Sequence, residues 1–325
     1  MTLKDCKEFI RNHERFHLAA HTSPDGDTLG SCLALRLALL VLNKEVTVVC
    51  EDPVPDYLMF LPGADSVRTS PETNLEAVIY IDCAEHSRTG KNCPRFEKAP
   101  YQFCIDHHET NPRLSKDGDW VEETAATAEM IYRLISTLGI PISRDIAECI
   151  FTGISTDTGN FSYSNTKPET FRIVSELLPS GIDLQDLNRR LFRSMSLSKA
   201  RLIAYTLGSA CIYSDGSVSL ASVSIQTLNE LGAKESDCEG LIDYLRDIDT
   251  VEIACLLRES KDGTVKGSLR SKRGANVLEI ACSFQGGGHQ KAAGFTLQTD
   301  LAEAGKRVLP IILETVEKWK ESYLS

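Results

Sequence analysis

Four apolar runs, Phe16 to His21, Glu45 to Cys50, Ala77 to Cys83 and Tyr101 to Asp106, are short and most give way to polar or Gly-rich residues. They predict buried strands. Between and after them, Leu29 to Leu42, Ala125 to Leu138 and Asp145 to Thr156 are helical stretches. Strand and helix in alternation predict a parallel sheet with helices on both faces. Ligands of such sheets gather beyond the carboxyl ends of the strands, where His21, Asp82 and Asp106 fall.

The pattern then changes. A helical segment from about Asp186 to Thr206 has no strand close to it and predicts a linker. Beyond Gly208 come two strands around Asp215-Gly216, a helix from Ser224, and a strand pair, Val251 to Arg258 and Val265 to Arg270, turning at Asp262-Gly263. A closing helix, roughly Leu301 to Lys320, has Ile311, Ile312, Leu313, Val316 and Trp319 at spacings that suit one buried face. The expected organisation is an N-terminal α/β domain over 1–185, a helical linker over 186–207 and a smaller mixed-sheet α/β domain over 208–325.

Length and composition fit this division. A chain of 325 residues exceeds what one core usually serves, and 42% hydrophobic with 25% charged residues is ordinary for a globular protein. The longest apolar stretch, Leu33 to Leu42, is interrupted by Arg36 and too short to span a bilayer, and the N-terminus lacks a signal-peptide core. A cytoplasmic location without a membrane partner is expected. The 11 cysteines include no C-x-x-C pair, which argues against a disulfide framework and a thiolate zinc site. The net charge of −11 opposes general attraction to long nucleic acid, so a phosphate substrate must be held locally.

Some of the acidic residues are grouped with histidines. His21-Thr-Ser-Pro-Asp25-Gly-Asp27-Thr-Leu-Gly30 places three potential ligands in a loop between a strand and a helix, whose N-terminal end also suits an anion. Alone, D-G-D equally suits a polar turn. Asp82 ends a strand; Asp106-His107-His108 ends another, with Asp106 able to orient an imidazole; Asp157 lies where a helix yields to a Gly-containing turn. Together His21, Asp25, Asp27, Asp82, His107 and Asp157 suit Mn²⁺ or a related divalent ion better than a soft metal.

These four motifs, in this order, resemble those of the DHH phosphoesterase family, named for the triplet at Asp106-His107-His108. Gly286-Gly287-Gly288-His289, followed by Lys-Ala-Ala-Gly294, is similar to the signature of the family's associated C-terminal domain. The resemblance implies two ions, one held by His21, Asp25 and Asp82, the other by Asp27, Asp82, His107 and Asp157, with Asp82 bridging. It implies catalytic roles for His108, at the phosphoryl oxygens or in proton transfer, and for Asp106, which orients it. Across a cleft, Arg270, Ser271, Gly287, Gly288 and His289 would hold the substrate phosphate; Lys272, Arg273 and Lys291 are further basic candidates.

The two-domain layout is most similar to the NrnA type, which implies hydrolysis of short oligoribonucleotides and 3′-phosphoadenosine 5′-phosphate. Cyclic di-AMP or linear dinucleotides, and polyphosphate or pyrophosphate, are alternative substrates. A nucleotide-binding sensor without catalysis is disfavoured by the intact ligand set. The implied partners are small nucleotides and very short RNA, with no stable complex on long nucleic acid; a homodimer is compatible.

Overall fold

The computed structural model describes residues 1–72, 74–113 and 115–324, of which residues 323 and 324 are described by backbone alone. The chain forms two compact units, Met1–Ser194 and Met195–Ser325.

In the first unit, β1 (Arg15–Ala19), β2 (Glu45–Val49), β3 (Ala77–Ile81), β4 (Tyr101–Asp106) and β5 (Gly118–Val121) form an all-parallel sheet in the order β2-β1-β3-β4-β5. Alternation along the strands divides the core. Phe16, Leu18, Ile79 and Ile105 face the helices Leu3–Asn12, Gly26–Val41, Thr127–Leu138 and Arg144–Asp157, whereas Ala19, Val78, Tyr80 and Cys104 face the four-residue helix Cys93–Phe96. Helical cover is therefore uneven. The short β5, Gly-Asp-Trp-Val, has no apolar run of its own to announce it and exists by pairing with β4.

Two glycines let the helices come close. A Cβ on Gly30 would stand 2.4 Å from the Cys149 carbonyl oxygen, and one on Gly153 would stand 2.6 Å from the Ala128 Cβ and 2.8 Å from Asp27 Oδ1. Helix Gly26–Val41 can thus approach Arg144–Asp157 closely, and Asp27 and Asp157 reach the same sheet end.

The second unit is a six-stranded mixed sheet of β6 (Cys211–Tyr213), β7 (Val218–Val223), β8 (Ile253–Glu259), β9 (Val265–Ser271), β10 (Gly287–His289) and β11 (Ala292–Leu297). The order is β10-β11-β9-β8-β7-β6, with only β7 and β8 parallel. Leu269 and Phe295 pack on one face against Val277–Cys282 and Leu301–Leu324. On the other face, Ala221, Val223, Ala254 and Leu256 of β7 and β8 meet Leu197–Gly208, Ile225–Leu231 and Leu241–Arg246. The stretch 186–207, expected as one linker, lies in two helices: Leu184–Phe192 ends within the first unit, and Leu197–Gly208 belongs to the second.

Candidate active site

The carboxyl edge of the first sheet collects the proposed ligands. Asp82 follows β3 at a φ of +55°, a left-handed conformation uncommon outside glycine that here turns the chain at the strand end. Its carboxylate is buried, with His21 Nε2 at 3.7 Å, His107 Nε2 at 3.6 Å and His108 Nδ1 at 3.8 Å. Thr28 donates its hydroxyl to Asp82 Oδ2 at 2.7 Å and Thr127 donates to Oδ1 at 3.0 Å. One hydroxyl thus holds each oxygen. Burial alone would raise the Asp82 pKa, but His21, His107, Thr28 and His108 outweigh it and hold the carboxyl below its ordinary range.

The ring nitrogens are sorted by their second partners. His21 Nδ1 donates to the Thr22 carbonyl at 2.7 Å and His107 Nδ1 to the Thr124 carbonyl at 3.2 Å, so each presents Nε2 to the acidic cluster. A ligating imidazole needs this tautomer. His108 Nδ1 donates instead to Asp106 Oδ1 at 2.7 Å, while Asn111 donates to Asp106 Oδ2 at 2.7 Å. The Asp106 hydrogen bond raises the His108 pKa. Asp106 is fully buried and His108 partly exposed, as suits an orienter and a group that meets substrate.

Asp27 is held from another direction. Its Oδ2 accepts the Thr127 N–H at 2.7 Å and its Oδ1 the Ala128 N–H at 2.9 Å, which places it on the N-terminus of helix Thr127–Leu138. Burial, then the charges of Asp82 and Asp157, nonetheless raise its pKa well above the ordinary value. Asp157, at the end of its helix and 3.5 Å from His107 Nε2, is pushed up to about 6, chiefly by burial. Asp25 caps helix Gly26–Val41 through the Thr28 N–H at 3.0 Å and stands 3.9 Å from His21 Nε2.

Three donor sets emerge, each within 4.8 Å: His21, Asp25 and Asp82; Asp27, His107 and Asp157; and Asp82, His107 and His108. Among the described residues, no Lys or Arg side chain forms an ion pair with Asp27, Asp82 or Asp157. Buried carboxylates without cationic partners, facing imidazole lone pairs, fit divalent metal. Thr28, Asn111, Thr124 and Thr127 escaped assignment from sequence. Thr28 stands inside the first motif, but nothing local reveals that Thr127 meets residues 100 and 45 positions away.

In the second unit the strand register decides which residues meet. Arg270 pairs with Ala292 and Ala292 with His289, so the three side chains share one face. Gly287 belongs to that face; Gly288 points away, at a φ of +139°, where a Cβ would meet the Ala292 carbonyl oxygen at 2.5 Å. Ser271 does not join Arg270: the next residue on a strand faces the other side, and its hydroxyl is buried without a hydrogen-bond partner among the described residues. Lys272 donates to the Ile248 carbonyl at 2.6 Å, and Glu252 accepts the N–H groups of Arg273, Gly274 and Ala275.

Paired imidazoles and carboxylates at the end of a parallel sheet, followed by a mixed-sheet unit bearing a glycine triplet, define a hydrolase of phosphate esters. The model of the DHH family N-terminal domain matches residues 15–154, and that of the DHHA1 domain matches residues 218–322. The chain is 36% identical over 307 residues to the bifunctional oligoribonuclease and PAP phosphatase NrnA of Thermus thermophilus, covering 93% of this chain and 90% of that protein. The enzyme of the same name from Bacillus subtilis is 26% identical, with 89% and 92% covered. The crystal structure of an exopolyphosphatase-related protein from Bacteroides fragilis superposes with a TM-score of 0.89 at 28% identity, covering 99% of this chain and 97% of that one. The chain belongs to the DHH family of metal-dependent phosphoesterases and carries a DHHA1 domain. Among the described residues no helix is long and apolar enough to cross a membrane.

Proposed function

We propose that this protein removes the terminal phosphate of 3′-phosphoadenosine 5′-phosphate and hydrolyses short oligoribonucleotides, using two divalent ions, with Mn²⁺ preferred. The observation that carries the two-ion reading is Asp82: it belongs to one donor set with His21 and Asp25 and has His107, of the Asp27 and Asp157 set, at 3.6 Å. The substrate class is supported by the near full-length similarity to the Thermus thermophilus enzyme.

His21, Asp25 and Asp82 would hold one ion, and Asp27, Asp82, His107 and Asp157 the other. Bound there, the ions supply an activated water and polarise the phosphoryl oxygens. Asp106 fixes the His108 ring, keeps its Nδ1 protonated and favours the imidazolium. His108 can then give a proton from Nε2 to the departing oxygen. In the second unit, Arg270 and His289 offer a guanidinium and an imidazole on one sheet face for a substrate phosphate, and Gly287 leaves room beside them.

A substrate panel tests this. With Mn²⁺, adenosine bisphosphate and two- to five-residue RNA should be hydrolysed faster than cyclic dinucleotides, long RNA and pyrophosphate. Pyrophosphate as the best substrate would overturn the nucleotide reading.

A further inference from the structure

The helices on the Leu256 side of the second sheet pack against β7 and β8. Beyond them, β9, β11 and β10 show Ser268, Ala292, Gly294, Thr296 and Gly287, small side chains none of which is fully buried. A cavity of about 450 Å³ opens over this area, bounded by Arg258, Lys266, Ser268, Gly294 and the turn Phe284–Gly286. Among the described residues no carboxylate lines it, although the chain carries 46 Asp and Glu residues. Arg258 and Lys266 are register partners on β8 and β9, so both cations face the same way. Arg258 Nε is buried and has no hydrogen-bond partner among the described residues, and Lys266 is exposed. An adjoining cavity of about 330 Å³ shares Arg258 and Ser268 and adds Arg270, Glu235 and Glu239, so cations and carboxylates balance there, whereas the larger cavity carries cations alone.

We propose that the carboxylate-free cavity is a second nucleotide subsite, which takes the phosphate and base of an RNA residue beyond the one held at Arg270 and His289. The proposal rests on the oligoribonucleotide reading above. Lys266 lies four residues from Arg270 on β9, roughly 13 Å at the rise of a strand, and is therefore too distant to share one phosphate with it. Lys266 and Arg258 supply the charge and the small residues let a nucleotide lie close to the sheet, while Phe284, which packs on Phe295 with Arg307 over its ring, forms the rim. The chemistry is that of a single strand tracked by cations on an open sheet, without base-specific contacts.

Binding of a fluorescently labelled five-nucleotide RNA to the full chain, in excess chelator so that nothing is cleaved, reads the subsite directly. Lys266→Gln should weaken binding about tenfold, as loss of a charge-assisted contact does, and lower the slope of log K against log salt by about 0.7. Arg258→Gln should do the same, and the loss should be larger for five nucleotides than for two. Unchanged affinity and salt slope in Lys266→Gln, whose exposed position tolerates the change, would overturn the subsite even if Arg258→Gln misfolds. Turnover of the unaltered protein on RNA with Mn²⁺ is measured alongside. If it cleaves no RNA but binding falls in both variants, the oligoribonuclease reading fails and the subsite stands; if it cleaves RNA and binding does not change, the reverse holds.

Discussion

Asp82 concentrates more interactions than any other side chain of the cluster: two hydroxyls donate to it and three imidazoles surround it. Asp82→Ala is expected to abolish hydrolysis and to lower metal binding at both donor sets while circular dichroism stays unchanged. A folded variant with near-normal turnover would remove its bridging role. Asp157 contributes to the pH response. Its folded pKa of about 6 lies above the usual 3.8, so without metal the folded state retains a proton that the unfolded chain has lost between those values. Stability from this group is therefore present at low pH and lost as pH rises through about 6. His21 and His108, with raised pKa values, act in the same direction at higher pH. Buried His17 and His86, with lowered pKa values, act the other way, so the contribution of Asp157 is read by difference: the stability of the metal-free protein at pH 5 relative to pH 7.5, from urea titrations, should fall in Asp157→Asn. Metal binding has the opposite dependence, because Asp157 must release its proton; affinity by calorimetry should fall as pH drops below 6, with uptake of metal displacing protons.

At the scale of elements, the site depends on how closely two helices and a third helix's N-terminus come together. Gly30→Ala and Gly153→Ala both force contacts shorter than real Cβ atoms make, and each is expected to destabilise the fold by about 1–3 kcal/mol. Their effects on metal should differ. The Gly153 Cβ would press on Asp27 Oδ1 and Ala128, the pair that positions one donor set, whereas the Gly30 Cβ meets the Cys149 carbonyl. Metal affinity should fall markedly in Gly153→Ala and little in Gly30→Ala. Equal affinities at matched stability would show that the Asp27 contact does not set ligand geometry.

For the whole molecule, the two units carry separable duties. All six proposed ligands lie in the first, so Mn²⁺ at about a hundred times its Kd should add about 2.7 kcal/mol per bound ion to the stability of that unit. For a unit of this size, chelation should then lower its Tm by roughly 5–10 °C for each ion removed, read by calorimetry, with little change in the second unit's transition. Arg270→Ala should raise KM for adenosine bisphosphate by about ten- to a hundredfold without altering metal content, since a charge-assisted phosphate contact is lost and no ligand is touched. Metal release from that variant would contradict the division.

The sequence by itself determined the strands β1 to β4, the main helices and the residues at their carboxyl ends, because hydrophobic period and strand ends are local properties. His21, Asp82 and His107 were expected at one edge because a parallel sheet brings its strand ends together; Asp25, Asp27 and Asp157 were proposed from their motifs, and close packing of their helices carries Asp27 and Asp157 to that edge. Tertiary structure decided what depends on register and on contacts between distant segments. Gly118–Val121 becomes a strand only beside β4, and the stretch 186–207 divides between two units. Thr127 becomes a partner of Asp27 and Asp82 only when helix packing carries it there. Ser271, adjacent to Arg270 in sequence, is turned from it because neighbouring residues on a strand face opposite sides, while His289, two strands away, shares its face because the ladder aligns them.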